Sequence, residues 1–139
     1  MSQPRIDFYI QNSDQAQARL ILACQIAAKA YRAGQRVHLH CHNPDQLAQL
    51  DNLLWDFRDE AFLAHSSEAP YPAPISLGCA EHAPAADVLI NLAAGIPAFI
   101  AQFSRVMELL NQEPDVLRSG RENYRHYRQQ GYDLHSHNL

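Results

Sequence analysis

Between Ile6 and Ile10 the chain reads Ile-Asp-Phe-Tyr-Ile, short, aromatic and β-branched, and Asn12-Ser13-Asp14 follows with turn and helix-capping chemistry. A first strand is expected there. From Gln15 to Ala33 the period changes: Leu20, Cys24, Ala27 and Tyr31 recur at helical spacing, and Gly34 closes the segment as a C-cap residue. Arg36 to Cys41 then alternates Val37, Leu39 and Cys41 against His38, His40 and His42, the period of two of a second strand. Strand, helix and strand in that order imply a right-handed crossover and a parallel pair.

Asn43-Pro44-Asp45-Gln46 is a helix start, with Asn as cap, Pro in the first turn and Gln in a box-like role. Leu47, Leu50, Leu54 and Phe57 share one face of the helix that follows, whereas Trp55 lies roughly 120° from the middle of that face. The single tryptophan is therefore expected near the surface or in a groove. Phe62 to His65 suits a short strand, and Ser66 to Pro74, with three prolines, a loop. Ile75 to Gly78 and Val88 to Leu92 suit buried strands. Phe99 to Leu110 fits a helix by composition and a last strand by its apolar run, and periodicity does not choose between them.

The last helical stretch surrounds Arg118 to Gln130. At about 100° per residue, Arg118, Arg121, Arg125 and Arg128 fall within roughly an 80° arc, which makes one basic stripe bordered by Tyr124. Val116, Gly120 and Tyr127 point the other way, toward a protein body. Pro114 and Asp115 suit the first turn, and Gly131 is a natural residue just past the end. Four guanidiniums beside a tyrosine suit a ligand that carries carboxylates or phosphates together with an apolar or aromatic group. A merely solvated helix face is the bland alternative.

With 139 residues, 47% apolar and 19% charged, the chain is expected to form one domain over 1–139, with 133–139 as a flexible polar tail carrying His135 and His137. The net charge of −4 confines any binding of polyanions to a local patch, and four of the eleven Lys/Arg residues lie in the stripe. No run of 18 apolar residues and no signal-peptide core is present, so a cytosolic protein is expected. Cys24, Cys41 and Cys79 lack a C-x-x-C spacing and are expected as free, buried thiols.

His38, His40 and His42 form the sharpest metal-like cluster, but no Asp or Glu accompanies them, and no metal or cofactor is expected. Neither G-x-G-x-x-G nor G-x-x-x-x-G-K-[ST] occurs, and the five glycines never cluster into a phosphate loop. Asp14, in the turn after the first strand, would repel phosphate. With no G-x-S-x-G elbow either, no catalytic site is expected.

In order along the chain, Ile6-Asp-Phe-Tyr9, Tyr31-Arg-Ala-Gly-Gln-Arg-Val37, Leu50-Asp-x-x-Leu-Trp55, Phe62-Leu-Ala-His65, Asp87-Val-Leu-Ile-Asn-Leu92 and Arg121-Glu-x-Tyr-Arg-x-Tyr-Arg128 with Gly131-Tyr132 make a pattern that resembles the chi subunit of bacterial DNA polymerase III holoenzyme. The resemblance implies a single-domain, three-layer Rossmann-like α/β fold with a mostly parallel sheet and no nucleotide-binding loop, and it makes Phe103 to Leu110 a strand. It implies a non-catalytic adaptor in DNA replication, cytoplasmic and at replication forks. Such an adaptor pairs with the psi subunit of the clamp loader and binds the acidic, Phe-ended C-terminal tail of single-stranded DNA-binding protein. It leaves open whether a DNA helicase shares the psi surface, and it makes DNA contact mainly indirect. By this likeness Arg121 and Tyr124 match tail-binding positions, Leu110 an apolar pocket wall, and Trp55 and Phe62 the psi-facing aromatics. Where the family pattern has a lysine four residues before Arg121, this chain has Leu117 with Arg118 beside it, so the contact is re-routed through Arg118 or Arg125. The expected tail-binding set is Leu110, Leu117, Arg118, Arg121, Tyr124, Arg125 and Arg128. The competing reading is direct binding of single-stranded DNA by the same basic helix, against which the net charge of −4 argues.

Overall fold

A sheet that draws strands from both ends of the chain organises the molecule. The computed structural model describes residues 3–56, 65–67 and 73–139. In chain order these form β1 (Arg5–Ile10), α1 (Ala16–Arg32), β2 (Val37–His40), α2 (Pro44–Asp56), β3 (His65–Ser66), β4 (Ile75–Gly78), β5 (Val88–Asn91), a 3-10 turn (Ile100–Gln102), β6 (Arg105–Leu110), α3 (Pro114–Gln129) and β7 (Asp133–Asn138). The strands lie in the order β3-β4-β2-β5-β6-β1-β7, and every ladder among the described residues is parallel. The expected α/β fold with a Rossmann-like sheet is the observed one.

The strand alternation divides the interior into two apolar layers. Val37, Leu39, Ile75, Leu77, Val88, Ile90, Met107 and Leu109 pack with Leu20, Ala23, Cys24, Ala27 and Ala28 of α1 and with Leu50 and Leu54 of α2. Alanines and a cysteine on α1 let that helix approach the sheet closely. Ile6, Phe8, Leu89, Val106 and Leu110 face the other way, onto Phe99, Ile100, Phe103 and Tyr127. Adjacent residues Leu89 and Ile90 thus serve opposite layers, as a pleat with a period of two requires.

Local chemistry sets the helix ends. Asn43 Oδ1 accepts from the Gln46 amide at 2.8 Å, and Gln46 Oε1 accepts from the His42 amide at 2.7 Å, a reciprocal cap on α2. Gly34 and Gly131, just past α1 and α3, have φ of 79° and 77°, the left-handed conformation that glycine adopts without steric cost.

Three expectations change. The segment 133–139, expected as a flexible tail with disordered histidines, is mostly β7, paired in parallel with β1 from Arg5↔Asp133 to Ile10↔Asn138. Leu134 packs against the second apolar layer, the His137 ring stacks on Tyr9 at 4.7 Å, and its Nε2 lies 2.9 Å from Asp7 Oδ1. Those three contacts order a strand whose own composition is polar. Of the three free cysteines, Cys24 and Cys41 are buried as expected, and burial pushes both thiols up to about 12, but Cys79, just past β4, is exposed. His38, read from the sequence as part of a metal-like histidine cluster, is fully buried. It bonds Ser76 Oγ at 2.7 Å and lies near-parallel to Phe103, and desolvation lowers its pKa to about 4.

Candidate functional site

α3 sits over β6 and β1, and its inner face explains how its outer face is aimed. Pro114 opens the helix and Asp115 occupies the first turn, near the positive end of the helix dipole. Gly120, Asn123 and Tyr127 are the buried positions. Gly120 rests on Leu110: a Cβ at residue 120 would lie 2.6 Å from Leu110 Cδ2. The Tyr127 hydroxyl donates to Glu108 Oε2 at 2.8 Å, Asn91 Nδ2 donates to the same oxygen at 2.9 Å, and Asn123 Nδ2 reaches Glu108 Oε1 at 3.4 Å. Glu108 is therefore a fully buried carboxyl at the base of α3. Its pKa is raised because burial penalises the charge, against the hydrogen bonds that favour it. Phe8 of β1 adds edge-to-face contacts with Tyr127 at 6.0 Å and Tyr124 at 5.3 Å between ring centroids.

With that face fixed, Arg118, Arg121, Arg125 and Arg128 all point to solvent. Tyr124 remains 36% exposed at the border, and Leu117 is half-buried beside it. Arg118 pairs with Asp115 at 2.7 Å. Among the described residues Arg121, Arg125 and Arg128 have no hydrogen bond or ion pair. The helix thus presents three uncommitted guanidiniums next to an aromatic ring braced from below by Phe8. Bidentate recognition of carboxylates and stacking on apolar groups are the chemistry this arrangement supports. Leu110 differs from the rest of the expected set, being only 7% exposed and turned toward Gly120.

The second expected surface is seen in part. Trp55, on the last turn of α2, is 59% exposed, with its ring 4.6 Å from that of His65 in an edge-on contact. His65 Nε2 lies 3.2 Å from Asp51 of the same helix as Trp55. Phe62 falls outside the described residues. His38 and His40 point at Phe99, with ring centroids at 6.2 and 5.2 Å. His42 lies beyond the end of β2. No group of three or more His, Cys, Asp or Glu placed to hold a metal ion occurs among the described residues.

Sequence reasoning missed what anchors α3. Glu108 sits inside the apolar run Val106-Met-Glu-Leu-Leu, and a charge at an inward strand position was the available signal. Its partners Asn91 and Asn123 are ordinary polar residues in the sequence.

Fold and surface together define a class: a Rossmann-like α/β protein without a phosphate loop, whose outward chemistry is a basic helix at one edge and an exposed tryptophan at the other. The family model for the DNA polymerase III chi subunit, HolC, matches residues 3–135. The chain is 45% identical to the DNA polymerase III subunit chi of Pseudomonas aeruginosa over 97% of its own length and 96% of that protein. It is 31% identical to the chi subunit of Haemophilus influenzae over 85% of each chain, and 30% identical to that of Escherichia coli over 83% of its own length and 82% of that protein. The chain belongs to the DNA polymerase III chi subunit family.

Proposed function

We propose that this protein is a non-catalytic adaptor of the DNA polymerase III holoenzyme, with α3 as the binding site for the acidic, Phe-ended C-terminal tail of single-stranded DNA-binding protein. The observation that carries this reading is the set of Arg121, Arg125 and Arg128, exposed and without acidic partners among the described residues, beside the half-buried Leu117 and the partly exposed Tyr124. A tail with carboxylates and a terminal aromatic ring complements both halves of that surface. The second contact, through Trp55 and Phe62, holds the psi subunit of the clamp loader, and its support is the 59% exposure of a large aromatic ring. The same surface is open to a helicase where psi is missing, and DNA is reached mainly through the tail.

A titration with two ligands tests the reading, an acidic peptide ending in Phe and a poly-dT oligonucleotide, each followed by fluorescence anisotropy. The peptide binds more tightly, its affinity falls as salt rises, and Arg121→Ala weakens it by roughly 1.5–3 kcal/mol, about ten- to 150-fold. Preference for poly-dT selects direct single-stranded DNA binding instead. Unchanged peptide affinity in a folded Arg121→Ala variant overturns the assignment of the site.

A further inference from the structure

On the flank of α3 away from Tyr124, a crevice of about 180 Å³ opens between the carboxyl ends of β5 and β6 and the first turns of α2 and α3. Open parallel sheets bind small ligands in this position, outside the carboxyl ends of their strands. Leu92, Leu110 and Val116 give it apolar walls, and of the four ionisable groups that line it, Arg19, His42, Glu108 and Asp115, the buried pair Arg19 and Glu108 reach it from α1 and β6.

Arg19 is 8% exposed. Among the described residues its guanidinium is tethered to backbone alone, Nε donating to the Leu109 carbonyl at 2.7 Å and Nη2 to that of Leu92 at 3.1 Å. Glu108 spends Oε2 on Asn91 and Tyr127, whereas Oε1 receives one long bond, 3.4 Å from Asn123. The two groups influence each other electrostatically, yet among the described residues they form no direct ion pair. Asp115, the other acid at the rim, is taken up by Arg118.

A buried cation that lacks a bonded counter-ion is costly to keep. A carboxyl oxygen with spare accepting capacity on the same crevice calls for a donor. One molecule can supply both, with an anionic head for Arg19 and an N–H or O–H for Glu108. Size narrows the choice, because the crevice measures about 180 Å³. A nucleotide needs a pocket of about 300 Å³ or more.

We propose that this crevice is a binding site for a small amino or hydroxy acid, its carboxylate on Arg19 and its ammonium or hydroxyl group on Glu108 Oε1. The site differs from the arginine face of α3 in the charged groups it uses, although Leu110, a member of the expected tail-binding set, is one of its walls. It lies on the opposite flank and uses the buried Arg19 in place of the exposed arginines.

The test is an amide NMR titration of the full chain with glycine, β-alanine, γ-aminobutyrate and lactate as bifunctional probes, and with acetate and methylammonium as single-function controls. At least one bifunctional probe shifts the amides of Ala93, Ala94, Ser119 and Gly120 and binds at least about tenfold more tightly than either control. Arg19→Gln abolishes those shifts. Because a buried arginine also supports the fold, Ser119→Leu serves as the second variant. It fills the crevice from a half-buried helix position and removes the shifts while the rest of the spectrum is retained. Absence of localised shifts with every probe, equal binding of acetate, or shifts that survive in Ser119→Leu would overturn the proposal and leave a crevice filled by water.

Discussion

Replacing Asp7 with Asn removes one negative charge where three donors converge and leaves the side-chain volume unchanged. Asp7 is fully buried in β1, with Arg105 Nε at 2.8 Å, Arg5 Nε at 3.1 Å and His137 Nε2 at 2.9 Å. Burial alone would raise its pKa, but hydrogen bonds from Arg105, His137 and Arg5 outweigh that and hold the carboxyl at about 2, against an ordinary value of 3.8. At about 1.4 kcal/mol per pKa step, the gap is equivalent to about 2.5 kcal/mol. The two arginine side chains are 46% and 36% exposed, so solvent screens part of the attraction and about 1–2 kcal/mol is expected. The folded pKa lies below the unfolded one, so this stability is complete above 3.8 and is lost as pH falls through about 2. Urea unfolding of the wild type and Asp7→Asn at a series of pH values reads it directly. The stability gap between them should hold from neutrality down to about pH 5 and close below about pH 4. A gap of the same size in strong acid and at neutrality would show that Asp7 acts through shape and hydrogen-bond count, not charge.

Three further outcomes are expected. Gly120→Ala drives a methyl onto Leu110, a strain of about 1–3 kcal/mol offset by about 1 kcal/mol of helix propensity. Chemical denaturation should show a net loss that is relieved when Leu110→Ala is added, and a Gly120→Ala variant more stable than wild type would mean that the contact has slack. Trp55→Ala should weaken capture of a psi-like clamp-loader subunit and leave tail-peptide affinity within about twofold; pull-downs beside thermal melts check this, and undiminished capture per folded molecule refutes the interface. For Glu108 the folded pKa is raised from 4.5, so its favourable contribution is complete below that value and disappears as pH rises through the folded pKa. Glu108→Gln should therefore gain stability relative to wild type as pH increases above about 4.5, and a difference that does not change with pH would show that the carboxyl is charged in the fold.

Features that depend on neighbours in the chain were legible in the sequence. The reciprocal cap of Asn43 and Gln46, the glycines past α1 and α3, and the arcs of α3 that carry arginine or face the core all follow from spacing within a few residues. Features that depend on which strand lies next to which were not. Phe99 to Leu110 could not be divided by periodicity because its apolar density suits either element, and β6 becomes a strand by lying between β5 and β1. Asp133 to Asn138 reads as solvent-seeking, yet Asp7, more than a hundred residues away in the chain, gives His137 a buried partner. His38 read as one of three histidines in a metal-like cluster, and its burial depends on Phe99 and Phe103, which the topology folds over it. The basic face of the candidate site could be read directly, whereas the Glu108 network that aims it could not, because its members lie on three separate elements.

The position of β1 also has a kinetic consequence. Ile6 lies opposite Val106 on one side and Leu134 on the other, so β1 has no sheet partner until β6, far along the chain, has been made. β2 and β4 pair across a much shorter separation. During synthesis the half-sheet of β4, β2 and β5 can assemble early, with α1 and α2 on its face, while β1 waits as an unpaired apolar segment. Pairings of such long range slow folding and lengthen the exposure of strand edges. Completion of the sheet then waits on β6 and β7, and a truncation that removed β7 would leave β1 with one of its two partners.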